Sequence, residues 1–206
     1  MNGRLLLAAR AALVGGLLVL VGCAGSEPVR YYILSAAPPA PSALGSGAAA
    51  RDLAVGVGPV KLPEYLDRPQ IVTRASQNEL NVTDFHRWAE SLGDSVPRVL
   101  AENLATLLPS QRVVVYPWRR ATPIDYQVAI EVSRFERLED GESVLATHWR
   151  VLDGGGKELL NQASTHRETP ARPDYAATVA AMNQTLEAFS REVALRIGEL
   201  SSGYRR

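Results

Sequence analysis

Apolar and polar positions alternate most regularly near Tyr126, where Tyr126, Val128, Ile130 and Val132 interleave with Gln127, Glu131 and Ser133. That period of two belongs to a strand with one buried and one solvated face. Glu139-Asp140-Gly141-Glu142 then turns the chain into a segment with Leu145, Trp149 and Val151 on one face, and Asp153-Gly154-Gly155-Gly156 turns it into a third. Three extended segments joined by two short turns predict an antiparallel meander. After Asp174 the spacing changes to threes and fours, through Val179, Met182, Leu186, Phe189, Val193, Ile197 and Leu200. This is a long helix whose stripe should cover one face of the sheet.

Upstream, Asp94 or Ser95 is placed to cap a second helix whose first turn tolerates Pro97. Val96, Leu100, Leu104, Leu107 and Leu108 form its stripe, and Pro109 stops it. Arg30 to Leu34 and Val113 to Val115 have strand composition, the latter closed by Tyr116-Pro117-Trp118. Leu53, Val55 and Val57 alternate with Ala54, Gly56 and Gly58, a strand with one bulky face and one face of small residues against which something packs closely, ended by Pro59. Residues 62–74 read as a turn-rich loop returning to an extended Ile71-Val72-Thr73. The predicted class is α+β, a largely antiparallel sheet with two main helices packed against it, in one domain. No solenoid repeat is visible.

The N-terminus changes the picture. Arg4 and Arg10 precede an uncharged apolar run of twelve residues, Ala11 to Gly22, that stops at the single cysteine of the chain, Cys23. A span needs roughly 17–25 residues, so this is the length of a signal-peptide core. Leu20-Val21-Gly22-Cys23 resembles the bacterial lipobox, which makes Cys23 the lipidation site. One thiol forms no internal disulfide, so no disulfide framework is available to an exported chain. One acyl chain holds a protein marginally and two or three hold it firmly. The residue after the cysteine is Ala24 rather than the Asp associated with inner-membrane retention, which points to the outer membrane. Residues 1–22 are thus read as signal peptide, 23–29 as a lipidated tether and 30–201 as the domain, with a Pro- and Ala-rich irregular loop at 35–50. At about 3.3–3.6 Å per residue, the tether keeps the domain within a couple of nanometres of its membrane.

Of the 206 residues, 22 are basic and 22 acidic; loss of Arg4 and Arg10 with the signal peptide leaves no basic footprint for nucleic acid. His86, His148 and His166 are far apart and Cys23 is taken by lipid, so no metal or cofactor site is expected. Neither a Gly-x-Ser-x-Gly elbow nor a Ser-x-x-Lys occurs, and no catalytic residue is assigned. Asp153-Gly-Gly-Gly-Lys157 lacks phosphate-loop spacing and reads as a hairpin turn. Arg119-Arg120 and Arg205-Arg206 read as solvated basic pairs, with anionic head-group contact as the sharper alternative.

The stretch Leu62-Pro63-Glu64-Tyr65-Leu66-Asp67-Arg68-Pro69-Gln70-Ile71-Val72-Thr73-Arg74, followed by Arg87-Trp88-Ala89-Glu90-Ser91-Leu92, Tyr116-Pro117-Trp118 and Ala146-Thr147-His148-Trp149-Arg150, resembles the ABC-type transport auxiliary lipoproteins, the PqiC-like group. The likeness runs from about Tyr31 to Ile197, and the Pro- and Ala-rich insert departs from it. The resemblance implies a non-catalytic, outer-membrane lipoprotein facing the periplasm. Its implied partners are an MCE-domain protein and an ABC permease and ATPase complex that moves lipid between membranes, with a homo-oligomeric ring as a further implication. A lipoprotein that binds envelope polymers or assists outer-membrane assembly, and a periplasmic hydrolase, are the alternatives.

Trp118 and Trp149 are read as core aromatics. The 64–70 loop, in contrast, holds charged and aromatic residues on an expected surface between prolines, where binding residues commonly lie. Tyr65, Leu66, Asp67, Arg68, Gln70, Arg87 and Trp88 are the candidate partner-binding residues. Tyr65, Leu66 and Trp88 are expected as interface anchors because they are large apolar groups in segments that read as turns; the competing reading puts them in the core.

Overall fold

The computed structural model describes residues 27–38, 53–108, 112–119 and 122–203. Cys23, the signal peptide and most of the 35–50 loop lie outside the described residues. Within them the chain forms β1 (Arg30–Tyr32), β2 (Ala54–Lys61), β3 (Gln70–Arg74), β4 (Leu80–Trp88), α1 (Leu92–Leu107), β5 (Arg112–Val115), β6 (Tyr126–Arg137), β7 (Ser143–Asp153), β8 (Glu158–Glu168) and α2 (Tyr175–Gly203). The class is α+β with two helices on one sheet.

Strand β6 is the hub. One of its edges carries the predicted meander, with β7 antiparallel from Tyr126↔Asp153 to Arg137↔Ser143 and β8 antiparallel beyond it. Both turns fall where Gly141 and Gly156 supply φ values of 90° and 84°, which a side chain would resist. The other edge of β6 is shared between two partners. Its first half takes β2 in parallel, from Val55↔Tyr126 to Lys61↔Glu131, and its end meets β3 at Thr73↔Arg137. Beyond β2 lies β5, parallel; beyond β3 lie β4, antiparallel, and then β1, parallel to β4.

The sheet is largely antiparallel, as expected, through the meander and the β3–β4 pair, but it is mixed rather than purely antiparallel because β1, β2 and β5 join it in parallel. Side-chain alternation reports which face is buried, not strand direction. Direction is set by the connections, and α1 returns the chain so that β5 runs alongside β2 in the same sense. Nor does β2 end at Pro59; it continues to Lys61 through a register shift between Val57 and Val60. Gly58 at φ 116° makes that bulge, where a residue without an N–H interrupts no regular ladder.

The inward residues form one core: Val55, Val57, Val128, Ile130, Leu145, Trp149 and Val151 from the sheet meet Val96, Leu100 and Leu104 of α1 and Met182, Leu186, Phe189, Val193 and Ile197 of α2. The two helices touch each other on that face. Trp149 meets Phe189 edge-on at 5.6 Å. Asp174, after which the helical spacing begins, caps α2, its Oδ1 accepting the Ala177 N–H at 2.7 Å; that bond, then Arg172, holds its carboxyl below the usual range. The cap of α1 is Ser91 rather than Asp94 or Ser95. Asp94 N–H donates to Ser91 Oγ at 3.1 Å and Ser91 Oγ–H to Asp94 Oδ2 at 2.6 Å, so the helix starts earlier and Pro97 stands in its second turn.

The outward face of β2 shows what the small residues are for. A Cβ at Gly56 would lie 2.7 Å from the Trp118 ring, so the indole lies directly on the strand. Trp118 is a half-buried cover on the outer face, whereas Trp149 is fully buried in the core. Among the described residues no helix is long and apolar enough to cross a membrane.

Candidate partner-binding surface

Between its pairings with β2 and β3, β6 has no strand on that edge over residues 132–136, and the 62–69 connection crosses there. The connection is a compact turn: Leu66 N–H donates to the Pro63 carbonyl at 3.0 Å and Asp67 N–H to that of Glu64 at 3.1 Å. Leu66 points into the gap and is 2% exposed. Half-buried Tyr65 donates its hydroxyl proton to Glu136 Oε2 at 2.8 Å. Glu136 is fully buried and also accepts from Arg74 Nε at 2.9 Å and from Phe135 N–H at 3.0 Å, with Arg134 Nε at 3.5 Å. One buried carboxylate thus ties the loop to β3 and β6. Burial first, and the Glu136 hydrogen bond second, push the Tyr65 hydroxyl up to about 12.

The second motif folds against the first. Trp88 N–H donates to the Pro69 carbonyl at 2.7 Å, and Gln70 pairs with Arg87 in the β3–β4 ladder. Along β4 the side chains alternate, so Trp88 turns into the core and is 5% exposed, while Arg87 turns outward between Gln70 and Tyr31. Arg87 Nε is buried without a hydrogen-bond partner. Glu90 pairs with Arg98 of α1, which also donates to the Leu34 carbonyl at 3.1 Å.

All seven candidate residues are therefore neighbours, but they divide. Leu66 and Trp88 are core, which corrects the expectation that they are exposed anchors: residues 80–88 form a strand rather than a turn, and the gap beside β6 needs an apolar plug. Tyr65 is committed to Glu136. Asp67 and Arg68 stand exposed at the tip, with Gln70 and Arg87 half-buried beneath them. Glu136 is missing from the sequence reading, because a glutamate in Arg134-Phe135-Glu136-Arg137 looks like any solvated charge.

His86 and His166 serve packing. His86 accepts or donates at 2.8 Å to the Tyr32 hydroxyl and stacks on Tyr175 at 3.9 Å; His148 is exposed. Ser164, Glu192 and His166 do cluster, but the carboxylate stands in the middle, accepting from Ser164 Oγ at 2.9 Å and facing His166 Nε2 at 3.0 Å. A catalytic triad needs the imidazole between the other two. With Trp149 Nε1–H donating to Ser164 Oγ at 2.9 Å, the group pins α2 to β8. In the 153–157 turn, Asp153 Oδ1 accepts the N–H groups of Gly155 and Lys157, both at 2.9 Å, so those amides are taken. Among the described residues no group of three metal-ligating side chains occurs.

The sequence model of the ABC-type transport auxiliary lipoprotein component family matches residues 32–194. The chain belongs to that family. It is an auxiliary lipoprotein of ABC-type transport. Two solved structures share its fold: a protein described only as uncharacterized, 21% identical with a TM-score of 0.67, covering 83% of this chain and 99% of the other; and protein XCC0632 from Xanthomonas campestris, of family DUF330, 20% identical with a TM-score of 0.70, covering 85% and 99%. At such identities the likeness concerns fold alone. No curated protein matches the chain at a significant level.

Proposed function

We propose that this auxiliary lipoprotein is anchored by acyl chains on Cys23 to the outer membrane, faces the periplasm, and docks the MCE-domain conduit of an ABC-type lipid transport system without catalysing a reaction. The observation that carries this reading is the family match across residues 32–194 in a chain whose sole cysteine closes an apolar leader. Asp67 and Arg68, with Gln70 and Arg87 behind them, form the proposed contact for the MCE protein or for a second subunit of a homo-oligomeric ring. An exposed acid–base pair of this kind steers and selects a partner, while a rigid base fixes its orientation. Here the base is the Glu136-centred hydrogen-bond group.

Two experiments test the reading. Mass spectrometry of the mature N-terminus should find acyl mass on Cys23, and Cys23→Ser should release the protein from membranes or leave an uncleaved precursor. Purification from crosslinked membranes should bring down an MCE-domain protein with its permease and ATPase. Recovery of barrel-assembly proteins or peptidoglycan instead would assign an outer-membrane assembly role. Lipid or ester hydrolysis abolished by a single substitution would assign an enzyme.

A further inference from the structure

We infer that the outward face of the β1–β4 corner is a membrane seat: Val29, Tyr31, Ile33 and Phe85 rest in the head-group region of the phospholipid bilayer that holds the anchor. The inference extends the anchoring reading and depends on it. Four of the large exposed apolar side chains gather in this corner, with Tyr31 64% and Ile33 52% exposed. Their common face follows from register. Tyr31 lies beside Arg87 in the parallel β1–β4 pair, and alternation places Val29 and Phe85 on the same side while Tyr32, His86 and Trp88 turn towards the core. On β7 and β8 the outward face is polar, with Arg150, Asn161, Thr165 and Arg167 exposed; the other exposed aromatic, Tyr116, lies over β2 and is packed edge-on against Trp118 at 5.4 Å.

Chain length names the occupant. Only residues 24–28 separate Cys23 from Val29, and at about 3.3–3.6 Å per residue that link reaches roughly 20 Å. An apolar corner tethered within that reach meets the interface at a high effective concentration, and tyrosine is a residue enriched at head-group depth. The three residues of β1 offer too short an edge to template pairing with another copy. Val29, Tyr31, Ile33 and Phe85 carry no charge, so the seating is apolar and needs no anionic lipid. It also fixes orientation, placing the Asp67–Arg68 tip beside the bilayer instead of at the far end of the domain.

Acylation consumes the Cys23 thiol, so a cysteine introduced elsewhere is the sole site for a nitroxide label. Full-length lipoprotein carrying Tyr31→Cys or Phe85→Cys, with Thr165→Cys and Leu195→Cys as references, is reconstituted into phosphatidylethanolamine–phosphatidylglycerol vesicles, and flotation and the acyl mass are checked first. Labels at 31 and 85 should show a several-fold lower accessibility to an aqueous nickel chelate and a higher accessibility to oxygen than the reference labels, unchanged in high salt. Protein that floats and carries acyl mass, yet shows equal accessibility at all four sites, overturns the seat and leaves the anchor standing. Protection accompanied by spin–spin broadening that unlabelled protein dilutes away assigns the corner to a second copy and also overturns it. Absence of acyl mass and flotation removes the anchor and the seat together.

Discussion

Removing the Glu136 carboxylate should loosen the very loop that carries the proposed partner contact. In Glu136→Ala, the Tyr65 hydroxyl loses its 2.8 Å acceptor and keeps only the Ser133 carbonyl at 3.4 Å. Arg74, whose side chain is 17% exposed, loses its ion pair and retains the Gln77 carbonyl at 3.0 Å. Breaking a buried pair from one side costs about 3–5 kcal/mol. Partial exposure of Arg74 and its remaining acceptor place this case at the low end, about 3 kcal/mol, or a fall in Tm of roughly 6–12 °C for a domain of this size. Glu136→Gln keeps one acceptor oxygen for Tyr65 and the Phe135 N–H but sets an amide donor against Arg74 in place of Oε1, so it loses the charge and the Arg74 acceptor and should cost about 2 kcal/mol. Glu136→Leu combined with Arg74→Met should recover part of the loss, since no unpaired charge is then buried. Chemical denaturation gives the free energies, and hydrogen exchange over residues 63–69 reports the loop. A Glu136→Ala protein within about 1 kcal/mol of wild type, or with unchanged exchange in that loop, would refute the reasoning.

Tyr65 adds an alkaline signature: its folded-state value of about 12 lies above its ordinary value of 10.0, so the stability it contributes is complete below pH 10 and is lost as pH rises from about 10 towards 12. Tyr65→Phe should be less stable at neutral pH and show a shallower decline across that window in pH-dependent denaturation. Trp88→Ala should cost about 3–5 kcal/mol of stability, read by thermal melting, because it empties a core site. Asp67→Lys with Arg68→Glu should leave Tm within about 1 °C, since both side chains are exposed, and should lower the yield of MCE partner in crosslinking.

The meander and α2 are legible from sequence because period, turn glycines and the change of spacing after Asp174 agree there. The close approach at Gly56 is legible too, although its filler, Trp118, comes from far along the chain. Strand β4 is not legible: as a near-edge strand it buries fully only Trp88 of its nine residues, so the alternation that betrays β6 is diluted by exposed Asn81, Asp84 and Phe85. Missing that strand is what made Trp88 look like a surface anchor. Parallel pairing of β2 with β5 and β6 rests on long-range crossovers that no local pattern encodes. Leu66 is misplaced for the same reason, since a gap in a sheet edge exists only once the sheet is built.

Photo-crosslinking from position 67 or 68 in the intact lipoprotein, in its own membranes, with identification of the captured protein, tests the central claim most directly. The account predicts an MCE-domain protein joined to the tip, lost with Cys23→Ser. Capture of outer-membrane assembly factors alone, or capture of the MCE protein undiminished by that substitution, would contradict it.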